Sequence, residues 1–399
     1  MSHTQPLTEV AEFPVTTEDL LGKLIAFSTE HNYALAAWRV PESGITHIIL
    51  TIKPEPFLLA DSFEDVGAGF IFHPFDVTQP GIFIKADVQF SFHEGALQAD
   101  EQKNSKALEW LNAHITETGN TTSQPAFAAA SKLNTPVDYK ELVQQSIRHI
   151  EHGYAEKIVP SRVKQVALSS SFDVADAFTR LERTYPNALV SFVFTPQHGA
   201  WLGATPETLV SVEKNIFRTV ALAGTQVYAD GTNLKHVAWT QKEIEEQAFV
   251  SRYIINCFKK IRLREFEEHG PKTIVAGNVM HLKTDFSVDM KATNFPQLGS
   301  VMLRLLHPTS AVCGTPLEAA RKFLEDHEGY PRGFYSGFLG PVNISNASHL
   351  FVNLRCMQLF ADQAWLYAGA GVTADSIPEK EWEETEMKMN TLLNVINLQ

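Results

Sequence analysis

The chain has 399 residues, of which 44% are hydrophobic and 20% are charged, a composition typical of a globular protein with one large or two medium domains. Its 33 Lys and Arg residues against 46 Asp and Glu residues give a formal net charge of -13, which argues against nucleic acid as a partner. An anionic small substrate would need a local remedy for this charge, either a bound cation or a few well-placed Lys and Arg residues.

The first third of the chain is predicted to contain strands, one helix and a linker. Residues 46–53 form an apolar run, and residues 88–92 alternate apolar and polar side chains, as strands do. Residues 106–115 have a helical pattern. Residues 116–125 are rich in Thr, Asn, Gly and Ser without apolar periodicity, which predicts a linker or a long surface loop.

The rest of the chain alternates helices with pairs of strands. Helices are predicted at 139–152, 172–185, 241–260 and 377–396. Strands are predicted at 157–168, 188–194, 201–212, 217–223, 350–359 and 365–370. The helix at 241–260 is apolar on most of its surface, which predicts that it is buried. Paired strands between helices predict an α+β fold rather than a strict alternation of one strand with one helix.

The cysteines and the N-terminal residues favour a cytoplasmic protein. Cys257, Cys313 and Cys356 are scattered and show no CxxC spacing, so neither a disulfide framework nor a structural zinc site is expected. The first residues lack the charged segment and apolar run of a secretory signal. No stretch approaches the roughly 18 consecutive apolar residues of a membrane span. The sequence therefore predicts a soluble, cytoplasmic protein without a membrane partner.

Carboxylates are paired on two of the predicted helices. Glu381, Glu384 and Lys388 are spaced i, i+3 and i+7, which places them on one narrow face at about 100° per residue. Taken alone, this face is explained by ion pairs in contact with solvent. Glu243 and Glu246 repeat the i, i+3 spacing on an apolar helix, where carboxylates are rare unless paired or bound to metal. Without His or Cys alongside, the four carboxylates predict a magnesium site, with ordinary surface glutamates as the alternative.

Two further residues are candidates for proton transfer. Lys157 is flanked by apolar residues on a predicted strand, where a lysine can lose enough proton affinity to act as a base. Glu207 follows a tight turn, where a shielded carboxyl can keep its proton and act as an acid. Each residue also fits a common structural role, a solvated lysine at a strand edge and a glutamate at the start of a helix.

Glycine segments and one arginine are candidates for binding a carboxylate. Gly224 and residues 369–371 follow predicted strands, where backbone N–H groups can hold anions, although a simple turn or bulge is the common alternative. Arg355 lies inside a predicted apolar strand, and a buried guanidinium needs an anionic partner from a substrate or from an internal Asp or Glu. His281 and His307 are single histidines of the kind that usually has a structural role.

Several of these segments together resemble the chorismate-utilising enzymes, a family that includes anthranilate, aminodeoxychorismate, salicylate and isochorismate synthases. The matching segments are KIVPSR at 157–162, GATPETL at 203–209, ALAGT at 221–225, KEIEEQ at 242–247, LHPTSAVCG at 306–314, GFYSG at 333–337, AGAG at 368–371 and the helix with Glu381, Glu384 and Lys388. Their number and order, over roughly residues 139–398, make a chance match improbable. The resemblance implies a four-layer α/β/β/α fold with two large packed sheets flanked by helices.

The predicted linker at 116–125 divides the chain, and the resemblance implies what its residues do. Residues 1–120 would complete the sheets, and residues 121–399 would form the chorismate-binding catalytic region. Glu246 and Glu384 would bind Mg²⁺, supported by Glu243 and Glu381. The residues that would line the chorismate site are Gly224, Thr225, His281, Ala311, Tyr335, Arg355, Gly369, Ala370, Gly371 and Lys388.

Two positions depart from the family. Pro160 stands where an aliphatic residue is usual, and it is expected to interrupt strand pairing. Gln247 stands where many relatives carry His or Asn. Neither departure removes a residue that would touch the substrate or the metal.

Three positions relate the chain to the isochorismate synthases within the family. Members that use ammonia lack lysine at the position of Lys157, aminodeoxychorismate synthases often have lysine at Ala223, and salicylate synthases typically have Thr at Ala311. With Lys157 as base and Glu207 as acid, the resemblance implies magnesium-dependent addition of water at carbon 2 of chorismate and loss of the carbon 4 hydroxyl.

The resemblance further implies a monomer without an obligatory protein partner. It is compatible with use of the product for menaquinone, a siderophore or salicylate. The alternatives are a salicylate synthase, an ammonia-using anthranilate-type synthase and a non-catalytic chorismate-binding relative.

Overall fold

The computed structural model describes residues 16–93, 95–97, 109–110, 113, 127–130, 137–229, 231–276 and 279–396. The helix predicted at 106–115 lies largely outside these residues, and the linker predicted at 116–125 lies wholly outside them. The boundary predicted between residues 120 and 121 also falls outside them.

The helices of the described residues cover the outer faces of the sheets, and several of them begin at a capping side chain. They are α1 (Thr17–His31), α2 (Tyr139–Glu151), α3 (Val174–Thr184), α4 (Gln241–Lys260), α5 (Leu298–Leu306), α6 (Leu317–His327) and α7 (Pro378–Ile396), with a short 3-10 helix at Leu234–His236. Asp138 caps α2 by accepting from the Lys140 and Glu141 N–H groups, and Asp173 caps α3. Within the described ranges, no helix is long and apolar enough to cross a membrane.

Two antiparallel sheets of nine strands form the centre of the fold. The first sheet has the order β7 (Ala96–Leu97), β6 (Val88–His93), β2 (Ile45–Thr51), β1 (Ala34–Arg39), β10 (Leu189–Thr195), β11 (Gly199–Thr205), β19 (Cys356–Leu359), β20 (Gln363–Gly369) and β9 (Ser161–Ala167). The second has the order β14 (Glu267–Ala276), β15 (Val279–Asp289), β13 (Ile216–Val227), β12 (Thr208–Glu213), β18 (Ala347–Val352), β17 (Phe338–Val342), β4 (Gly69–His73), β5 (Gly81–Lys85) and β3 (Glu55–Phe57). A small third sheet pairs β8 (Lys157–Ile158) with β16 (Gly314–Thr315).

The side chains of the sheets divide into three cores, which define four layers. On β1, Ala36 and Trp38 belong to the core between the two sheets, whereas Leu35 and Ala37 belong to the core beneath α1, α3 and α7. This alternation follows from the two-residue period of a strand. A third core lies between the second sheet and the helices α2, α4, α5 and α6. The observed α/β/β/α order confirms the predicted fold.

Three strands that the sequence predicts as continuous are each divided in two. Pro160, which lacks an N–H group, separates β8 from β9. Pro206 and Glu207 separate β11 from β12, which belong to different sheets. Arg355 does not lie inside a strand as predicted, because it adopts a left-handed backbone with φ of 47° between β18 and β19. At the breaks between β11 and β12 and between β18 and β19, the apolar pattern continues because both flanking strands carry buried side chains.

Two further expectations are corrected. The glycine at 224 does not end a strand; it has a φ of +69° at a bulge inside β13, where the register shifts between Ala223 and Thr225. Helix α4 is not buried all round, since Ile244 is 46% exposed, whereas Ile254 and Phe258 are buried. The helix lies on the outside of β13 and β15, so only one of its faces is covered.

Candidate functional site

Glu207 and Arg355 lie where two pairs of strands pass together from one sheet to the other. β11 pairs with β19 in the first sheet, and β12 pairs with β18 in the second. Between these pairs, the Val352 N–H donates to the Glu207 carbonyl at 2.9 Å, and the Ala204 N–H donates to the Arg355 carbonyl at 3.0 Å. The backbone therefore fixes both residues at the same crossing point.

Lys157 reaches this crossing from the short strand β8. The strand is held on one side by β16 and on the other by Val372, whose carbonyl accepts from the Ile158 N–H at 3.1 Å. A Cβ atom built on Gly371 would lie 2.8 Å from Lys157 Cε and 3.2 Å from Nζ. The glycine at 371 therefore leaves the room that the lysine side chain occupies.

The proton affinities of Lys157 and Glu207 are shifted in opposite directions. Burial lowers the pKa of Lys157, and Lys388 adds to this, although Glu246, Glu207 and Glu384 act against it. Burial raises the pKa of Glu207, with Arg355, Lys157 and Lys388 acting against it. Because burial disfavours the charged form of each group, the two pKa values shift in the directions that a base at Lys157 and an acid at Glu207 require.

Four ionisable side chains at this site lack a direct partner. The side chains of Lys157, Glu207, Glu246 and Arg355 make no hydrogen bond or ion pair with any residue in the part of the chain that the structure describes. Burial lowers the pKa of Arg355, and the Tyr335, Glu384, Glu207 and Tyr185 side chains act against this. Buried charges are usually paired, so unpaired charges of both signs around one space are typical of a site for a charged ligand.

On α7, Lys388 and Glu384 form the ion pair expected from their spacing. Lys388 Nζ lies 2.5 Å from Glu384 Oε1 and donates to the Gly369 carbonyl at 2.8 Å. Burial would raise the pKa of Glu384, but Lys388, Arg355 and Lys157 outweigh it and lower that pKa. Glu384 is therefore an ionised carboxylate facing the same space as Lys157.

The two glutamates predicted to support the metal have other neighbours. Glu243 Oε2 accepts from the Thr240 N–H at 2.7 Å and from Gln226 Nε2 at 3.0 Å, and it forms part of a capping box at the start of α4. Glu381 is buried. Burial raises the pKa of the Tyr139 phenol, and the negative charge of Glu381 raises it further. Both side chains therefore interact with neighbouring residues of the chain.

His281 and the bulge at Gly224 form another wall of the site. His281 Nδ1 lies 2.9 Å from the Gly224 carbonyl and 3.3 Å from Thr225 Oγ1. Because a carbonyl can only accept, Nδ1 carries the hydrogen and Nε2 is left as an acceptor. Burial lowers the pKa of His281, and the positive charges of Arg355 and Lys388 lower it further. The hydrogen bond with the Gly224 carbonyl raises this pKa but does not outweigh them. His281 is therefore a neutral ring within reach of the arginine and lysine.

Tyr335 and the chain after β20 complete the candidate site. A Cβ built on Gly369 would lie 3.2 Å from Tyr335 Oη, and burial raises the pKa of that phenol to about 12. The Ala370 N–H donates to the Pro160 carbonyl at 3.3 Å. Ala311, which is half-buried, lies in the turn that leads into β16, the partner strand of Lys157.

The acidic side chains fit a magnesium ion better than a metal held entirely by protein. No three His, Cys, Asp or Glu residues come together as a metal site in the described ranges. Glu246 on α4 and Glu384 on α7 both lie near enough to Lys157 to oppose the lowering of its pKa. Mg²⁺ typically takes one or two carboxylates and completes its coordination with water and substrate oxygens, which matches this pair of hard oxygen donors.

The structure has a buried ion pair beside the site whose two residues were not predicted from the sequence. Arg332 Nε lies 2.7 Å from Glu328 Oε2, and both side chains are almost fully buried. The available sequence signal was an arginine directly before the GFYSG segment at 333–337.

The chain is similar to known proteins over most of its length. The family model described as "Chorismate binding enzyme" matches residues 77–397. The isochorismate synthase EntC of Escherichia coli (strain K12) is 28% identical over 335 residues, which cover 82% of this chain and 80% of EntC.

Two solved structures share the fold. That of MenF, the menaquinone-specific isochorismate synthase from Escherichia coli, has a TM-score of 0.73 and 20% identity, and the match covers 94% of this chain and 91% of MenF. That of anthranilate synthase component I from Streptococcus pneumoniae has a TM-score of 0.66 and 20% identity, covering 90% and 92%. Because proteins named for different reactions share the fold, the reaction has to be argued from the side chains.

Proposed function

The chain belongs to the chorismate binding enzyme family, and on that premise we propose that it is a magnesium-dependent isochorismate synthase, an isomerase that converts chorismate to isochorismate. The name of EntC, which matches four-fifths of the chain, supports this reaction. Lys157 and Ala223 support it too, since ammonia-using relatives differ from this chain at those positions.

The substrate of this reaction carries two carboxylates, which Arg355 and Lys388 can receive. Arg355 has no direct partner in the described residues, whereas the Lys388 ammonium pairs with Glu384 and donates to the Gly369 carbonyl. Glu246 and Glu384 would hold Mg²⁺, which when bound offsets the charge of a substrate carboxylate and orients the ring. These groups supply the local remedy that a protein with a net charge of -13 needs for an anionic substrate.

Lys157 and Glu207 perform the proton transfers. Neutral Lys157 removes a proton from a water molecule as its oxygen bonds to carbon 2 of the ring. The two ring double bonds each move by one position, and the bond from carbon 4 to its hydroxyl breaks. Glu207 gives its proton to the departing hydroxide, which leaves as water. Lys157 then loses a proton and Glu207 regains one, so the reaction is a net isomerisation.

The single observation that carries this proposal is the placement of Lys157 beside the crossing point that fixes Glu207, with neither side chain bonded to any residue that the structure describes. Burial lowers the proton affinity of Lys157 and raises that of Glu207, and each group acts on the other. A general base and a general acid work best when their pKa values approach the working pH from above and below. Water as the nucleophile requires no amidotransferase subunit, so we propose that the chain acts without an obligatory protein partner.

The test is turnover of chorismate by the purified chain with and without Mg²⁺. Products are separated by liquid chromatography, and pyruvate is assayed in parallel. Isochorismate in equilibrium with chorismate, dependent on Mg²⁺ and without stoichiometric pyruvate, is the expected result. Salicylate with pyruvate would replace the proposal with a salicylate synthase. Products formed only with ammonium would indicate an anthranilate-type enzyme, and no turnover would indicate a binding protein.

A further inference from the structure

Pro160 interrupts the backbone pairing between β8, which contains Lys157, and β9. On one side of this interruption lies Val159, the residue after the end of β8. On the other side, Ser161 begins β9. Both residues are buried, so their carbonyl and N–H groups need partners.

The buried ion pair between Arg332 and Glu328 supplies partners on both sides of the proline. Arg332 Nη2 donates to the Val159 carbonyl at 2.7 Å. Glu328 Oε1 accepts from the Ser161 N–H at 2.7 Å and from Ser161 Oγ at 2.6 Å. The two charged residues also bond each other twice, each time at 2.7 Å. One rigid fork therefore spans the interruption that the proline creates.

The same guanidinium holds two other walls of the site. Arg332 Nη1 donates to the Val312 carbonyl at 2.7 Å, one residue after Ala311. The guanidinium carbon lies 5.8 Å from the centre of the Tyr335 ring, and the Tyr335 N–H donates to the Arg332 carbonyl at 3.0 Å. Arg332 thus connects the Lys157 segment, the turn with Ala311 and the tyrosine of the site.

We propose that Arg332 and Glu328 are positioning residues, which fix the amine of Lys157 against the reacting water by holding the backbone on both sides of Pro160. The pair itself touches no reacting atom. This inference rests on the proposed function for its kinetic test, because displacement of a catalytic group by about 1 Å can lower turnover about 100-fold.

The experiment compares Glu328→Gln with Glu386→Gln. Both glutamates bind side chains at the start of β9: Glu328 binds Ser161, and Glu386 pairs with Arg162 and, at 2.7 Å, with Lys164. Glu328→Gln is expected to lower kcat about 100-fold and to change KM for chorismate less than about threefold, because binding is retained while the base is displaced. Glu386→Gln is expected to stay within about twofold of the unmodified protein in both constants.

Amide hydrogen exchange of the segment 157–161 gives a readout that does not depend on the reaction. The Ile158 and Val159 N–H groups donate to Val372 and Cys313, and in Glu328→Gln their exchange is expected to accelerate about tenfold or more. Ser161→Ala removes the hydroxyl that bonds Glu328 and Tyr330 but keeps the Ser161 N–H bond to Glu328, so it is a milder variant, expected to lower kcat about fivefold if Glu328→Gln does not fold.

The outcomes separate this inference from the proposed function. Unchanged exchange and unchanged kcat in folded Glu328→Gln would overturn it, as would a loss of kcat equal to the loss of folded protein. Equal loss in the Glu386→Gln control would also overturn it. If the unmodified chain leaves chorismate unchanged, the proposed reaction fails, while faster exchange in Glu328→Gln still supports the positioning of the Lys157 segment.

Discussion

The carboxylate of Glu243 accepts the backbone N–H of Thr240 at 2.7 Å, which closes the capping box at the start of α4. Glu246, one turn later, has no such partner among the residues described here. The two glutamates have the same chemistry and lie three residues apart, yet the structure assigns one to the helix and leaves the other turned to the site.

Glu243 and Glu246 are therefore expected to respond differently to substitution. Glu243→Ala should lower the free energy of unfolding by about 1 kcal/mol, because a cap is lost, and should change the Mg²⁺ requirement little. Glu246→Gln should raise the Mg²⁺ concentration for half-maximal turnover about tenfold or more at unchanged stability. Urea unfolding and a magnesium titration of turnover measure both effects; equal magnesium dependence in the two variants would contradict the assignment.

Lys157→Ala and Glu207→Gln are each expected to lower turnover of chorismate about 100-fold or more, because each removes one proton transfer. The circular dichroism spectrum should be unchanged. Lys164→Ala, on β9 beside the same segment, is the matched control, since Lys164 pairs with Glu386 and is 34% exposed. Near-normal rates in either site variant would refute the roles given to these two residues.

The pH dependence of kcat should respond to Arg355. Glu207 must be protonated to act, and Arg355 is the largest influence that holds its pKa down against burial. Removing the cation in Arg355→Met should raise that pKa, so Glu207 stays protonated to higher pH and the basic limb of the profile moves upward. KM should rise as well. The exposed Arg218→Met on β13 is the control, and a basic limb that stays in place or moves downward would count against Glu207 as the acid.

Gly371 provides a steric test of the position of Lys157. An alanine there would place a Cβ 2.8 Å from Lys157 Cε, so the flexible end of the lysine must move while the backbone stays. Gly371→Ala is expected to lower kcat about tenfold or more, with the melting temperature nearly unchanged. At Gly67 a Cβ would meet nothing within 4 Å, so Gly67→Ala should be neutral. Full activity in Gly371→Ala would place the reactive amine elsewhere.

The sequence predicts local elements and residue types better than it predicts where they meet. The helix at 241–260 was predicted with the observed bounds, but its apolar residues suggested burial because the pattern does not show which face a sheet will cover. The resemblance supplied the site residues, and the structure brings Lys157, Glu207, Arg355 and Glu384 to one place, as their mutual effects on pKa indicate.

The remaining differences arise from backbone geometry and long-range partners. The left-handed conformation of Arg355 has no sequence signature, since arginine is not a residue that favours positive φ. The partners of Glu328 and Arg332 include residues 159 and 161, more than 160 positions away in the chain. Such pairings depend on the packing of whole layers and cannot be read from spacing.

Because β11–β12 and β18–β19 both pass from one sheet to the other, the site forms only where the two sheets pack together. Glu207 and Arg355 each occupy the short link between a strand of one sheet and a strand of the other. Both groups therefore depend on strands of the two sheets for their positions. Ligand binding should therefore begin only when the two sheets have packed together. The packing of the apolar layer between them, which includes Trp201 and Phe72, then sets how Glu207 and Arg355 are aligned.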